Sequence, residues 1–185
     1  VRGGKAAKNY RRFGVDTAYL DELSGFDQDV EKEGSPDKLA AKRLEGATFP
    51  KLISGSTPKT AGFCHITRRF DAADGRFRFH IQCPQCSEWH PLTFGGKELP
   101  HGFKWEKGEP DTVFHMCPHC TYPLRQPEYL RLSEQGRMLS DDRSLHLSVD
   151  GRFYDAASGE KSPAPRHIGI HVWTAYSPAV SWSQL

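Results

Sequence analysis

Two short cysteine pairs constrain this chain more than any other feature: Cys83-Pro84-Gln85-Cys86 and Cys117-Pro118-His119-Cys120. Two residues separate the sulfurs of each pair, so one tight turn can present both thiolates to a single tetrahedral ion. The thirty intervening residues, 87 to 116, suffice for a small β excursion that returns the second turn to the first. Four sulfurs leave no open coordination position, so the expected ion is structural zinc rather than catalytic zinc. Two other arrangements use the same residues: a pair of disulfides in a secreted domain, or buried thiols without a metal. The matched C-P-x-C turns favour the metal.

Composition narrows the setting. A chain of 185 residues can hold one domain or two small ones around a real core. Hydrophobic content is 37% and mean hydropathy −0.64, which describes a rather polar protein. No apolar run approaches the roughly 18 residues needed to span a bilayer, and no signal-peptide pattern is present. Four of the five cysteines fall in metal-type pairs, which fits a reducing compartment. The fifth, Cys64, reads as a small core side chain. The first residue is Val1 and the last, Leu185, closes a Ser/Trp-rich stretch, so the chain reads as a segment of a longer polypeptide.

Net charge is only +2, but the charges come in blocks. Residues 1 to 13 carry Arg2, Lys5, Lys8, Arg11 and Arg12 and no acid, whereas residues 16 to 37 carry eight acids and one lysine. Such a basic arm can neutralise nucleic-acid phosphates. It can equally be a solvated segment lying beside its acidic neighbour.

The front of the chain reads as α/β. Val15 to Leu20 is predicted as a buried strand ending in Asp21-Glu22. Ser35-Pro36-Asp37 opens a helix over 36–45, with Ser as N-cap, Pro at the first helical position and an acid in the first turn; Gly46 stops it. Lys51 to Ser54 is a second short strand. A strand–helix–strand order builds parallel sheets. From Arg76 the period changes to two: Phe77, Phe79 and Ile81 share one face, and Arg76, Arg78, His80 and Gln82 the other. Further strands are expected at Leu92–Phe94, Phe103–Trp105 and Val113–Met116, and a helix over Pro127–Gln135 stopped by Gly136. Residues 150–166 read as a loop or partly disordered arm, and Ile168–Ala175 as the last strand.

A strand ending in paired acids is how many P-loop NTPases build their second nucleotide motif. The aspartate holds Mg²⁺ through its water shell, and the glutamate polarises the attacking water. Asp-Glu after apolar residues also arises by chance at helix starts. The second strand adds weight, because Ser54-Gly55-Ser56-Thr57-Pro58 places small hydroxyls at another strand end. Those hydroxyls can sense a γ-phosphate, although an ordinary Ser/Thr/Pro turn uses the same residues. Gly55 to Thr60 ends in Lys-Thr like a P-loop, but the required glycines fall on Ile53 and Pro58, so no phosphate cradle is present there.

Taken in order, these motifs resemble one family. Asp21-Glu22 is followed by Glu33-Gly34-Ser35-Pro36 with Arg43 in the helix, then Ser56-Thr57-Pro58, then C-P-x-C twice. Gly169-Ile170-His171, Tyr176-Ser177-Pro178 and Trp182 follow. This order is similar to the lambda-type phage terminase large subunit, the GpA family, from about residue 14 to residue 185. The resemblance implies a motor that packages double-stranded viral DNA into procapsids, with an N-terminal ATPase domain and a C-terminal endonuclease.

By the same resemblance Asp21 is the Walker B aspartate and Glu22 the catalytic glutamate, with Ser56-Thr57-Pro58 as the coupling motif. Zinc is held by Cys83, Cys86, Cys117 and Cys120, and Mg and ATP are cofactors of the full-length parent. The P-loop is expected upstream of Val1 and the nuclease acids downstream of Leu185, so the segment alone is not expected to be active.

The expected fold class is therefore α/β: a partial P-loop NTPase-type parallel sheet with a β-rich, four-cysteine zinc-ribbon-like insert. Residues 1–75 are the later ATPase core, 76–126 the insert, and 127–185 the return to the core. Implied partners are DNA, the terminase small subunit and the portal, with no membrane, in the host bacterial cytoplasm. The reading from another class is a zinc-ribbon nucleic-acid-binding module without catalysis, using Arg76, Arg78 and His80 beside Trp89 and Trp105 as a basic-aromatic surface.

Overall fold

The computed structural model describes residues 2–60 and 63–185. The fold is mixed α/β, in two compact units, Val1–Ala72 and Ala73–Leu185. Among the described residues no helix is long and apolar enough to cross a membrane.

The first unit is organised by strands β1 (Thr17–Leu20) and β2 (Lys51–Ser54), which pair in parallel from Thr17↔Lys51 to Leu20↔Ser54. Between them, α1 (Pro36–Ala41) starts from Ser35 in an extended conformation and runs on into a 3₁₀ turn at Lys42–Leu44. Gly46, at φ +92°, then turns the chain out of the helix as its missing Cβ allows. Arg43, expected within the helix, lies in the 3₁₀ turn. A second short helix, α2 (His65–Asp71), carries Arg69, whose guanidinium meets Asp37 at 3.3 Å. Burial raises the Asp37 carboxyl, but the Ser35 hydroxyl and Arg69 outweigh it and hold its pKa below the usual value.

β1 differs from the buried strand expected over 15–20. It begins at Thr17, because the Val15 N–H is taken by the Arg43 carbonyl at 2.9 Å. Only Leu20 is fully buried, joining Ala7, Tyr10, Leu23, Val30, Leu39 and Ala40 in the core. Ala18 and Leu52 pack against that core, while Tyr19 and Ile53, opposite each other in the register, face outward. A two-stranded sheet covered on one side must alternate in this way. The basic arm is not a free tail. Ala7 and Tyr10 are buried, the Ala7 N–H donates to Glu31 at 3.1 Å, and Arg11 pairs with Glu33 of the acidic block.

The second unit grows around β3 (Gly75–Gln82). An antiparallel hairpin adds β4 (Trp89–Pro91), displaced from the expected 92–94. β5 (Gly102–Glu106), β6 (Glu109–Met116) and β7 (Pro123–Leu124) form a separate three-stranded sheet. Helix α3 (Gln126–Ser133) leads to β8 (Arg137–Ser140), which pairs antiparallel with β3. Gly136 sits in the short link between them: a Cβ there would lie 2.0 Å from the Phe79 ring, so close approach to β3 requires the glycine.

A meander then follows through β9 (Leu145–Leu147), β10 (Phe153–Asp155) and β11 (Lys161–Ser162). The last strand, β12 (Ile168–His171), returns parallel to β3 on its other side. Residues 150–166, expected as loop, thus supply two strands. Asp155 accepts the Ala157 and Ser158 amides at 3.0 and 2.7 Å, and Gly159 at φ +72° completes a tight turn that sequence composition alone reads as flexible. Residues 76–126 and 127–185 share one sheet through β3.

The core of this unit contains Ile81, Leu92, Phe103, Leu124, Tyr129, Ala175 and Trp182. Trp182 is 2% exposed, its indole N–H donates to the Ala175 carbonyl at 2.9 Å, and Phe103 meets it edge-on at 4.8 Å. Replacing Trp182 with Ala opens a cavity among these rings and leaves the Ala175 carbonyl unmatched. The expected cost is about 3–5 kcal/mol to the second unit. Denaturant unfolding followed with a probe in that unit checks it.

Candidate functional site

The two predicted nucleotide motifs come together in the first unit. Parallel register sets Leu20 beside Ser54, so Asp21-Glu22 and Ser56-Thr57 leave the same edge of the sheet. Three hydrogen bonds fix this edge: Gly55 N–H to the Leu20 carbonyl at 3.0 Å, Leu23 N–H to the Gly55 carbonyl at 3.2 Å, and Ser24 N–H to Ser56 Oγ at 3.0 Å. The loop carrying the acids is therefore tied to the hydroxyl-bearing loop.

Asp21, Glu22 and Thr57 are exposed, and Ser56 is half-buried. Asp21 accepts the Glu22 N–H on Oδ1 at 3.1 Å. Glu22 lies in the left-handed region at φ +50°, ψ +42°, as the residue before the 3₁₀ turn Leu23–Gly25. A residue with a Cβ costs about 1 kcal/mol there, and such strain concentrates at working sites.

Two residues of this edge carry no motif. Ser24 contributes its amide to Ser56 and places its hydroxyl 2.7 Å from Cys64 Sγ. Cys64, expected as a core side chain, is indeed 5% exposed. Burial pushes its thiol up, but the Ser24 hydroxyl and the amides of Lys59, Ile66 and Thr67 outweigh that and hold it at about 6. Neither residue has a sequence signal, because their meeting depends on where α2 begins relative to β2.

In the second unit the four paired cysteines converge. Their Sγ atoms all lie within 4.8 Å of one another, with Cys83–Cys120 at 3.6 Å and Cys86–Cys117 at 3.9 Å. Metal–sulfur bonds of about 2.3 Å in a tetrahedron put sulfurs roughly 3.8 Å apart, so this set could hold a metal ion. All five cysteines are free thiols, which sets the disulfide arrangement aside.

The two turns are built alike. Cys83 N–H donates to Glu88 and its carbonyl accepts from Ser87; Cys117 N–H donates to Tyr122 and its carbonyl accepts from Thr121. Ser87 and Thr121 both sit left-handed, at φ +63° and +61°. One turn follows β3 and precedes β4; the other follows β6 and precedes β7. Two hairpins thus present four sulfurs to a common point. Burial pushes the Cys83 and Cys117 thiols up, so a cation must displace protons to bind.

Beside the turns, His115 is fully buried, accepts the Thr93 N–H on Nε2 at 3.1 Å and stacks on His90 at 5.4 Å. Burial and then the neighbouring His90 push its pKa to about 3, so it packs as a neutral ring.

The expected basic-aromatic surface divides. Arg76, Arg78 and His80 share a face of β3, and register places Trp89 beside Gln82 on that face. Trp105 belongs to the other sheet, on β5, where it meets Phe94 at 6.1 Å. A change of sheet between residues 91 and 102 separates the two tryptophans.

The family described as phage terminase large subunit gpA, ATPase domain, matches residues 1–137. The large terminase subunits of Enterobacteria phage P21 and Escherichia phage lambda are each 44% identical to the chain over 183 residues. That alignment covers 99% of this chain and 28% of each relative, so the chain spans little more than a quarter of their length. No solved structure matches it.

Strain at Glu22 gives a direct test of the site geometry. Glu22→Gly removes the Cβ penalty and is expected to leave stability equal or higher by a few tenths of a kcal/mol, despite the usual entropic cost of glycine. A thermal melt checks it; a clear loss of stability would show that Glu22 is not held left-handed.

Proposed function

The chain belongs to the gpA family of phage terminase large subunits, and we propose that it carries the water-activating and coupling motifs of the DNA-packaging ATPase. The observation that carries this reading is the Ser24–Ser56 tie at one edge of a parallel strand pair, with Asp21-Glu22 on one loop and Ser56-Thr57 on the other.

On this reading residues 1–75 are the later ATPase core and 76–126 a zinc-ribbon-like insert, whose β3 shares its sheet with strands from 127–185. β1 and β2 are two strands of a P-loop-type sheet. Asp21 keeps Oδ2 clear of the bond to Glu22, which suits an oxygen-seeking, hydrated Mg²⁺. Mg²⁺–ATP, when bound, supplies the reactive phosphoryl group. Glu22 takes the proton of the attacking water, from an exposed carboxylate. The hydroxyl of Thr57 senses the phosphate. Its movement reaches Ser24 through Ser56, so the two loops respond together.

The four cysteines hold one structural zinc that closes the insert. Double-stranded DNA is the translocated substrate, and the small subunit and portal are partners in the host bacterial cytoplasm. The parent is also an endonuclease, through residues outside this segment.

In the full-length protein, Glu22→Gln keeps nucleotide binding but lowers ATP turnover by roughly 100-fold or more and stops packaging, since it preserves shape and removes the base. Asp21→Asn weakens Mg²⁺–nucleotide binding as well, and Thr57→Ala impairs packaging more than nucleotide binding. The 185-residue segment alone does not turn over ATP, for want of a phosphate cradle. Steady-state ATPase rates beside a packaging assay decide; near-normal packaging by Glu22→Gln refutes the assignment.

Zinc is tested separately. Elemental analysis is expected to give about one zinc per chain. Because the thiols of Cys83 and Cys117 are raised, protons compete for them, so metal is retained at neutral pH and released as pH falls. Cys117→Ser abolishes retention and loosens both hairpins; full zinc content in that variant would sink the four-sulfur site.

A further inference from the structure

One face of the large sheet is cationic across several strands. Along β3, Arg76, Arg78, His80 and Gln82 point opposite to Phe77, Phe79 and Ile81. Register sets His171 of β12 and Leu139 of β8 beside Arg78, Arg137 of β8 beside His80, and Trp89 of β4 beside Gln82. Outward from Leu139, the same face continues through His146 of β9, Tyr154 of β10 and Lys161 of β11.

Arg143, in the β8–β9 turn at φ +60°, donates Nη2 to the Trp89 carbonyl at 3.0 Å. The Arg137 guanidinium lies over the Trp89 ring, 4.9 Å from its centroid. Arg76, Arg137, Arg143 and Lys161 are exposed. The acid set into this face is Asp141, bonded by Arg78 Nε at 2.9 Å and paired with Arg76 Nε at 3.4 Å. It spaces the two guanidiniums while leaving the surplus positive. Neighbouring Asp142 is engaged by the Ser140 and Ser144 hydroxyls at 2.5 and 2.9 Å.

We propose that this sheet face is a contact surface for the phosphate backbone of duplex DNA. Four arginines spread over β3, β8 and a turn, three of them exposed around the buried His80 and Leu139, suit an extended polyanion and not a small anion. Guanidinium forks match phosphate oxygens in pairs, and strand spacing places Arg76 and Arg78 about 6.6 Å apart along β3. The histidines add to the picture: His80, His146 and His171 are all lowered, first by burial and then by Arg143 and Arg78, by Arg137, and by Arg78 respectively. The positive charge of the face is therefore the fixed charge of its arginines and of Lys161. The surface reads phosphates and no base edges, so it holds DNA without sequence preference. It gives the second unit its own hold on DNA, with no nucleotide required.

The test is fluorescence anisotropy of the nucleotide-free 185-residue chain with a labelled random-sequence duplex across a salt series. R76Q/R137Q is expected to bind roughly tenfold or more weakly at moderate salt, and to flatten the log–log salt slope by about 2. R76K/R137K keeps the charge and is expected to retain the slope. Unchanged affinity and slope in R76Q/R137Q overturns the proposal.

Equal or tighter binding of a single strand of the same length by the parent chain overturns the duplex assignment. A second reading needs no variant: hydrogen exchange of the parent is expected to slow at 76–82 and 137–144 on adding duplex. Protection confined to residues 2–12 overturns the proposal. No ATP is present, so this outcome is independent of the Glu22→Gln result.

Discussion

The alternation of Phe77, Phe79 and Ile81 with Arg76, Arg78 and His80 gives β3 two faces of opposite character, and the second unit is assembled on that division. Its apolar side chains pack against partners from distant parts of the chain: buried Phe77 meets Phe153 at 5.6 Å, half-buried Phe79 meets Tyr176 at 5.6 Å, and Ile81 enters the core around Trp182. Its backbone pairs with β12 over 75–78, with β8 over 77–80 and with β4 over 80–82. Its last residue, Gln82, leads directly into Cys83. A slip of one residue would send the arginines into the core and the first cysteine away from its partners, so the register is strongly specified.

The cysteine turns depend on that strand but also complete it. Each is a hairpin whose first cysteine is locked by two backbone hydrogen bonds, so the backbone aims the sulfurs. The β3–β4 and β6–β7 hairpins, from two different sheets, meet at these four sulfurs, which lie close enough together that they could hold one metal ion. His115 and His90 fill the space behind the turns with flat neutral rings.

In the first unit the governing constraint is the parallel register of β1 and β2. Parallel strands place their C-terminal ends side by side, which is where loops can bring chemistry from separate parts of a sequence together. Here the loops are cross-bonded through Ser24 and Ser56, and Glu22 is turned out of line by a left-handed backbone. The side-by-side exit of the acid-bearing and hydroxyl-bearing loops follows from strand order.

Much of this was legible in the residues themselves. The Cys-Pro-x-Cys spacing, the Ser35-Pro36 helix start, the Gly46 stop and the period-two pattern from Arg76 each depend on residues within a few positions of one another. Local sterics and turn chemistry are enough to set them. The order of motifs also carried the family. What the tertiary structure decided lies in long-range pairing. Asp141 reaches Arg78 across 63 positions, and Tyr176 donates to the Phe79 carbonyl across 97.

Trp182 gave only a family motif in the sequence and is a core anchor in the fold; residues 150–166 looked like loop and became strands. Arg137 and Arg143 had no visible connection to Arg76 until β8 paired with β3. Local pattern states what each segment can be. Which segments meet is set by the apolar faces that must be buried together, and no short stretch of sequence contains that choice.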